Sequence, residues 1–245
     1  MGEEVYRIED EVGLIVVTQR GEKRVLSFAG GLEQSSVLMN KPYCLPHEYM
    51  QIMLLGLVYV DARHITLLGL GGGGIAHFLS HYYPQVATQV VELRQSVIDV
   101  AYDWFKLPRT PSLMVECADA YQYMQAAEKV GTNLILSDLY EAQGMSEVQA
   151  QESFIDACYQ GLAEQGLLVL NFHHLPEKNS PLMQKIMAMF AEVYICDVFS
   201  GNRVMFCAKN DVLLDKTELA ARAKTLTKKV EMPLMYYFKQ LRKYS

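Results

Sequence analysis

The run Ile65-Thr-Leu-Leu-Gly-Leu-Gly-Gly-Gly-Gly74 constrains this chain more than any other stretch. Its apolar start reads as a buried strand, and five glycines within six positions read as a tight turn before a helix that begins near Ile75. Without Cβ atoms the turn can take positive φ and bring its backbone N–H groups close to a ligand at the positive end of the helix. A second apolar run, Val86-Ala-Thr-Gln-Val-Val-Glu-Leu93, carries Glu92 about eighteen residues past Gly74. Nucleotide-binding βα units place the acid that holds ribose hydroxyls at such a strand end.

The pattern continues on both sides. Strand-like segments at 65–69, 87–92, 112–117, 133–137 and 166–171 alternate with helical ones at 75–82, 95–105, 120–128, near 149–164 and near 181–190. Two late strands, near 193–199 and 203–208, flank a hairpin turn at Ser200-Gly-Asn202. Repeated βα units predict an α/β, Rossmann-like, mostly parallel sheet with helices on both faces and ligands at the carboxyl ends of its strands. Residues 4–39 instead alternate short apolar runs with turns, the spacing of a small antiparallel β-meander of three or four strands. Helical spacing follows from His47 to Val58. The chain thus divides into a meander (1–40), a nucleoside-binding domain (41–210) and a basic helical extension (211–245). That extension holds eight of the 22 Lys and Arg residues against four acids. It reads as a helix with a solvated face or as a tail that docks on an acidic subunit.

The formal charge of −6 supplies no global basic surface, which argues against nucleic acid as partner. Five scattered cysteines fit reduced core thiols better than a disulfide framework, and no run approaches the length of a membrane span. A cytoplasmic protein is expected. His77 and His81, four apart, have zinc-pair spacing without the acid of a metalloprotease motif, and are read as helix-surface or interface residues. His173-His174 is read as a loop start rather than a metal site. Met183, Met187 and Met189 are read as core packing.

Acids recur where three successive strands end: Glu92, Asp119 and Asp138. Each alone could cap a helix, Asp119 most simply. Together, around a glycine turn, they match a ligand with a ribose diol, an adenine amine and a reactive carbon.

In these residues the chain resembles the spermidine synthase family of aminopropyltransferases, within the class I fold that binds S-adenosylmethionine. The resemblance covers roughly residues 12–205. It rests on Gly69-Leu-Gly-Gly-Gly-Gly74, Glu92, Ala118-Asp-Ala120 and the catalytic-loop-like Asp138-Leu-Tyr-Glu-Ala-Gln-Gly144, with Gly31-Leu-Glu-Gln34 and Pro46-His-Glu48 upstream. It implies a nucleoside donor, decarboxylated S-adenosylmethionine, held by Gln34, Gly69, Gly71, Gly73, Glu92 and Asp119, with no permanently bound cofactor and no metal. It also implies catalytic roles for Asp138 and Glu141, an amine acceptor held by His47, Glu48 and Tyr140, and a homodimer. The chain departs from the family at Gly72, where the relatives carry the acid that binds the donor's ammonium, at Pro46 for a tyrosine, and at Ala142 for a proline. Loss of a charge-assisted hydrogen bond is worth roughly 1.5–3 kcal/mol, up to about a hundredfold in affinity. Three further readings stay open: a methyltransferase using intact S-adenosylmethionine, a non-catalytic nucleoside-binding paralogue, and a dehydrogenase suggested by the literal Gly69-x-Gly71-x-x-Gly74 fingerprint.

Overall fold

A computed structural model describes residues 2–28, 33–126, 131–141, 144–199 and 201–244. Strands β1 (Glu3–Asp10), β2 (Gly13–Arg20), β3 (Lys23–Phe28) and β4 (Glu33–Leu38) form an antiparallel sheet in sequence order. Helices α1 (Glu48–Met53) and α2 (Gly56–Tyr59) lead into β5 (His64–Leu68), α3 (Gly74–Tyr82), β6 (Ala87–Glu92), α4 (Gln95–Phe105), β7 (Leu113–Cys117), α5 (Ala120–Ala126) and β8 (Thr132–Ser137). A short hairpin, β9 (Tyr140–Glu141) and β10 (Gly144–Met145), and a 3-10 turn at Glu147–Ala150 follow. The chain then runs through α6 (Glu152–Gly161), β11 (Leu162–Phe172), α7 (Pro181–Met189), β12 (Glu192–Asp197), β13 (Arg203–Ala208), α8 (Lys216–Val230), α9 (Leu234–Phe238) and β14 (Arg242–Lys243).

The large sheet has eight strands in the order β14-β12-β13-β11-β8-β5-β6-β7. The five strands from β11 to β7 are parallel, and β13, β12 and β14 complete the sheet in antiparallel pairings. The expected α/β fold with a preceding meander is therefore the observed one. Strand order reverses beside β5: the chain proceeds outward to β6 and β7, then returns to place β8 on the other side. Such a switch point opens a crevice at the carboxyl ends of the strands.

Apolar residues on both faces of β5, β8 and β11 are buried, and the sheet carries helices on each side. The meander does not stand alone. Ile15, Val17, Leu26, Phe28 and Val37 pack with Val97, Val100 and Phe105 of α4 into a common cluster.

Several local expectations are corrected. The helical spacing from His47 is split into α1 and α2, with Leu54 and Leu55 between them still at right-handed helical dihedrals; Gly56, which opens α2, lies so close to β8 that a Cβ would fall 2.8 Å from the Leu134 side chain. The expected helix near 149–164 is a 3-10 turn and a shorter α6, while β11 begins early at Leu162 and slips register before Leu167. The end of the expected helix 120–128 and Ser200 of the hairpin turn lie outside the described residues. His77 is not a surface residue: it is 7% exposed, with Nε2 2.9 Å from the Phe105 carbonyl oxygen. Met183 is buried, but Met187 is exposed. All five cysteines are free.

The basic extension is docked. An Asp215/Glu218 capping box starts α8, whose Leu219, Ala223, Leu226 and Val230 form a buried stripe at helical spacing. Arg222 pairs with Asp61 at 2.9 Å, and Lys229 Nζ donates to the Tyr82 carbonyl at 2.7 Å. The two-residue β14 then adds an unforeseen edge to the large sheet.

Candidate active site

The crevice at the switch point is a pocket bounded by the meander, α1, the glycine turn and the ends of β6 and β8. At Gly69, φ is +92° and an added Cβ would lie 2.3 Å from the Asp138 carbonyl oxygen. Only glycine lets the ends of β5 and β8 come this close, and Asp138 N–H donates to the Leu68 carbonyl across the gap at 2.9 Å. Gly71 and Gly73 also take positive φ, which turns the chain into α3. Gly69 and Gly71 line the pocket; Gly73 instead caps α3 and lies behind the turn.

Glu92 is held by the turn. Its Oε2 accepts from Leu70 N–H at 3.0 Å and its Oε1 from Arg94 N–H at 3.1 Å. Burial raises its pKa, and these backbone donors oppose that rise. Each carboxylate oxygen has a second acceptor site, so the residue can still receive a ribose hydroxyl. Asp119 lines the pocket, and its Oδ1 accepts from Gln122 N–H at 2.8 Å at the start of α5, the contact of a helix cap.

Asp138 stands at the centre. Asn171 Nδ2 donates to its Oδ1 at 2.8 Å and the Tyr49 hydroxyl bonds its carboxylate, while burial pushes its pKa up to about 6. Behind it lies a polar network. Ser137 Oγ donates to Gln149 Oε1 at 2.6 Å, Gln149 Nε2 donates to the Asn171 carbonyl at 2.8 Å, and Asn202 Nδ2 contacts both Asn171 Oδ1 at 3.0 Å and the Tyr140 hydroxyl at 3.1 Å. Satisfied buried networks of this kind fix side-chain position. Tyr140 lines the pocket.

Of the other predicted site residues, some reach the pocket and some do not. Gln34 lines the pocket from β4. Glu141 lies on β9, and its side chain falls outside the described residues, as do Gly31, Ala142 and Gln143. His47 and Glu48 do not line the pocket. His47 Nε2 is 2.8 Å from Ser36 Oγ, and its ring stacks on Tyr49, behind Asp138's partner. Burial lowers its pKa. Glu48 Oε2 accepts from Phe199 N–H at 3.0 Å, which ties α1 to the end of β12.

Four residues at or behind the pocket were not foreseen: Ser35, Tyr49, Arg94 and Asn171. Tyr49 and Asn171 had a signal, since one adjoins His47-Glu48 and the other is a polar residue ending an apolar strand. Arg94 is 8% exposed; its guanidinium bonds Asp10 at 3.0 and 2.7 Å and the Gly13 carbonyl at 2.6 Å, and lies over the Phe28 ring. Ser96 Oγ also donates to Asp10. Only the fold brings these groups together. Among the described residues, no group of three or more His, Cys, Asp or Glu gathers as a metal site.

A model of the spermine/spermidine synthase domain matches residues 16–210. The chain belongs to that family. A polyamine aminopropyltransferase of Neisseria meningitidis serogroup A is 27% identical over 183 residues, covering 74% of this chain and 68% of that protein. The structure of a probable spermidine synthase from Corynebacterium glutamicum superimposes with a TM-score of 0.76 at 23% identity, covering 91% of this chain and 86% of that one. A methyltransferase is also similar: the eEF1A lysine and N-terminal methyltransferase of Xenopus laevis is 27% identical over 225 residues, covering 82% of this chain and 32% of that protein. The family member described here thus has relatives that transfer different groups on a shared fold, and the pocket residues must decide which reading fits.

Proposed function

We propose that this chain transfers an aminopropyl group from decarboxylated S-adenosylmethionine to an amine acceptor. The observation that carries the reading is Asp138, a carboxylate pushed up to about 6 by burial, beside Tyr49 and Asn171 in one pocket with Glu92, Asp119 and the glycine turn. Glu92 accepts from the donor's ribose, Asp119 from its adenine amine, and Gln34 closes the site from the meander.

The acceptor nitrogen attacks the carbon beside the sulfonium in line. A C–N bond forms, the C–S bond breaks, and methylthioadenosine leaves with the electron pair. An alkyl ammonium of pKa near 10 must first lose a proton, which Asp138 takes directly or through a water. Asn171 and Tyr49 hold that carboxylate against rotation, so most of the gain comes from alignment. In this reading Tyr140 faces the acceptor and Glu141 is assigned the role of the loop's second acid; His47 and Glu48 support α1 from behind. The five free thiols support a reducing compartment, the cytoplasm, as its place of work, and a homodimer is part of the same reading.

Methylthioadenosine release, followed over a panel of diamines with decarboxylated donor, tests the reading. Turnover with at least one diamine is expected, with Asp138→Asn slower by about 10²–10⁴-fold. Absence of release with every amine would remove it. Methyl transfer is the second reading, favoured by Gly72 and by the methyltransferase relative, and it predicts release of S-adenosylhomocysteine instead.

A further inference from the structure

Asn171 can meet Asp138 in two ways, because the oxygen and nitrogen ends of its amide have nearly the same shape. An ionised carboxylate only accepts hydrogen bonds, so the nitrogen end supports the charge of Asp138 and the oxygen end opposes it. The nitrogen end is the one that faces inward: Asn171 is fully buried, and its Nδ2 donates to Asp138 Oδ1 at 2.8 Å. Its Oδ1 therefore faces away, toward Asn202, whose Nδ2 donates to it at 3.0 Å. The second proton of that nitrogen goes to the Tyr140 hydroxyl, 3.1 Å away. An Asn171 turned end for end would set donor against donor at Asn202 and acceptor against acceptor at Asp138.

Asn202 is itself held by the backbone of its turn. It sits between β12 and β13, where its carbonyl accepts from Val198 N–H at 2.9 Å and from the Arg203 guanidinium at 3.1 Å. Unlike Tyr140, it does not line the pocket. Resting on the reading of Asp138 as proton acceptor, we infer that Asn202 is a positioning residue: it fixes which end of the Asn171 amide faces Asp138, and so fixes the hydrogen bond that supports its charge. Both hydrogen bonds run the same way, from Asn202 to Asn171 to Asp138, so each polarises the next. Among the described residues, the titratable groups against Asp138 are the hydroxyls of Tyr49 on α1 and Tyr140 on β9. Burial first, and then the charge of Asp138, raise the pKa of both above the ordinary tyrosine value, so neither ionises where Asp138 titrates.

Carboxyl-carbon NMR of the full chain carrying isotope-labelled aspartate follows Asp138 directly, its signal identified by its loss in Asp138→Asn. The wild-type signal should titrate at about 6. Asn202→Ala and Asn202→Leu, one smaller and one of the same branched shape, both lack the donor. Each should raise the midpoint by about half to one unit, the roughly three- to tenfold of one hydrogen bond. Asn171→Ala should raise it too, and adding Asn202→Ala to that variant should change nothing further. In the two Asn202 variants the acid limb of kcat/KM should move up with the signal. Three results overturn this role: a midpoint that stays in place in both Asn202 variants, a shift in only one of them, which marks a packing defect, or a full shift from Asn202→Ala in the Asn171→Ala background, which means that Asn202 reaches Asp138 by another route. Failure of the proton-acceptor reading looks different: the signal moves as expected while the wild type transfers no aminopropyl group, which removes that reading and leaves the orienting role of Asn202 in place.

Discussion

Asp138 holds a charge where burial opposes it. At neutral pH it is mostly ionised, so it can accept a proton, and only the ionised form does so. kcat/KM for amine transfer should therefore fall as pH drops through about 6, and a profile flat from pH 5 to 8 would exclude Asp138 as the proton acceptor. The raised value also bears on stability. Because the folded form binds its proton more tightly than the unfolded chain, Asp138 destabilises the fold at neutral pH and that penalty fades as pH falls from about 6 toward 4. Asp138→Asn should accordingly be slower by the same ~10²–10⁴-fold yet more stable at pH 7 by on the order of 1–2 kcal/mol, measured by urea denaturation. Gly72 poses the opposite case. Restoring an acid with Gly72→Asp forces a Cβ against Phe105, so a stability loss of about 1–3 kcal/mol is expected, with no gain in donor affinity unless Phe105→Leu makes room. A tighter-binding, fully stable single variant would show that the corner is looser than described. These residues differ in how readable they were. Glu92, Asp119 and Asp138 each end a strand with a clear apolar run, so sequence alone put them on one edge. Ser35 and Phe105 flank Gly72 together only because the meander folds over α4, and no local pattern records that arrangement.

Besides its apolar cluster on α4, the meander is tied to the nucleoside side by a buried cation, Arg94. Arg94 follows the ribose acid by two positions, donates its N–H to Glu92, and sends its side chain to Asp10 and Gly13 on the β1–β2 turn. Val12, on that same turn, lines the pocket. Hydrogen bonds from Arg94 and Ser96 hold the Asp10 carboxyl well below the usual range, against the rise that burial alone would cause. Its contribution to stability is thus fully present above the unfolded value near 4 and is lost as pH falls below it. Asp10→Ala strands a buried guanidinium and should cost about 3 kcal/mol at pH 7, with the difference from wild type shrinking below pH 4. Equal thermal midpoints for the two proteins at pH 7 would contradict this coupling. Element types were read well where periodicity was long, as in α4 and the central strands. The α1–α2 break was missed because Leu54 and Leu55, where it falls, are good helix formers that keep right-handed helical dihedrals.

Across the molecule, one sheet unites segments from both halves of the chain, and its carboxyl edge is the pocket floor. The extension from Asp211 closes the far side: α8 packs on α2, α9 packs on α1, and β14 edges β12. Composition suggested a solvated basic helix, and its charges do face outward. The buried stripe and the terminal strand were harder to read, since a two-residue strand has no periodicity. Deleting residues 211–245 should lower the melting temperature by roughly 5 °C or more and raise the aggregation tendency, as apolar surface on α2 and β12 is laid bare. α1 carries Tyr49, so the same deletion should reduce activity by disturbing Asp138's partner, though no described residue of the extension lines the pocket.

Mass spectrometry of the acceptor after incubation with decarboxylated S-adenosylmethionine and putrescine bears on the central claim most directly. Spermidine, putrescine enlarged by one aminopropyl unit, is expected in amounts equal to the methylthioadenosine released, and about 10²–10⁴-fold more slowly with Asp138→Asn. An unchanged diamine, together with a methylated acceptor when intact S-adenosylmethionine is supplied, would contradict it.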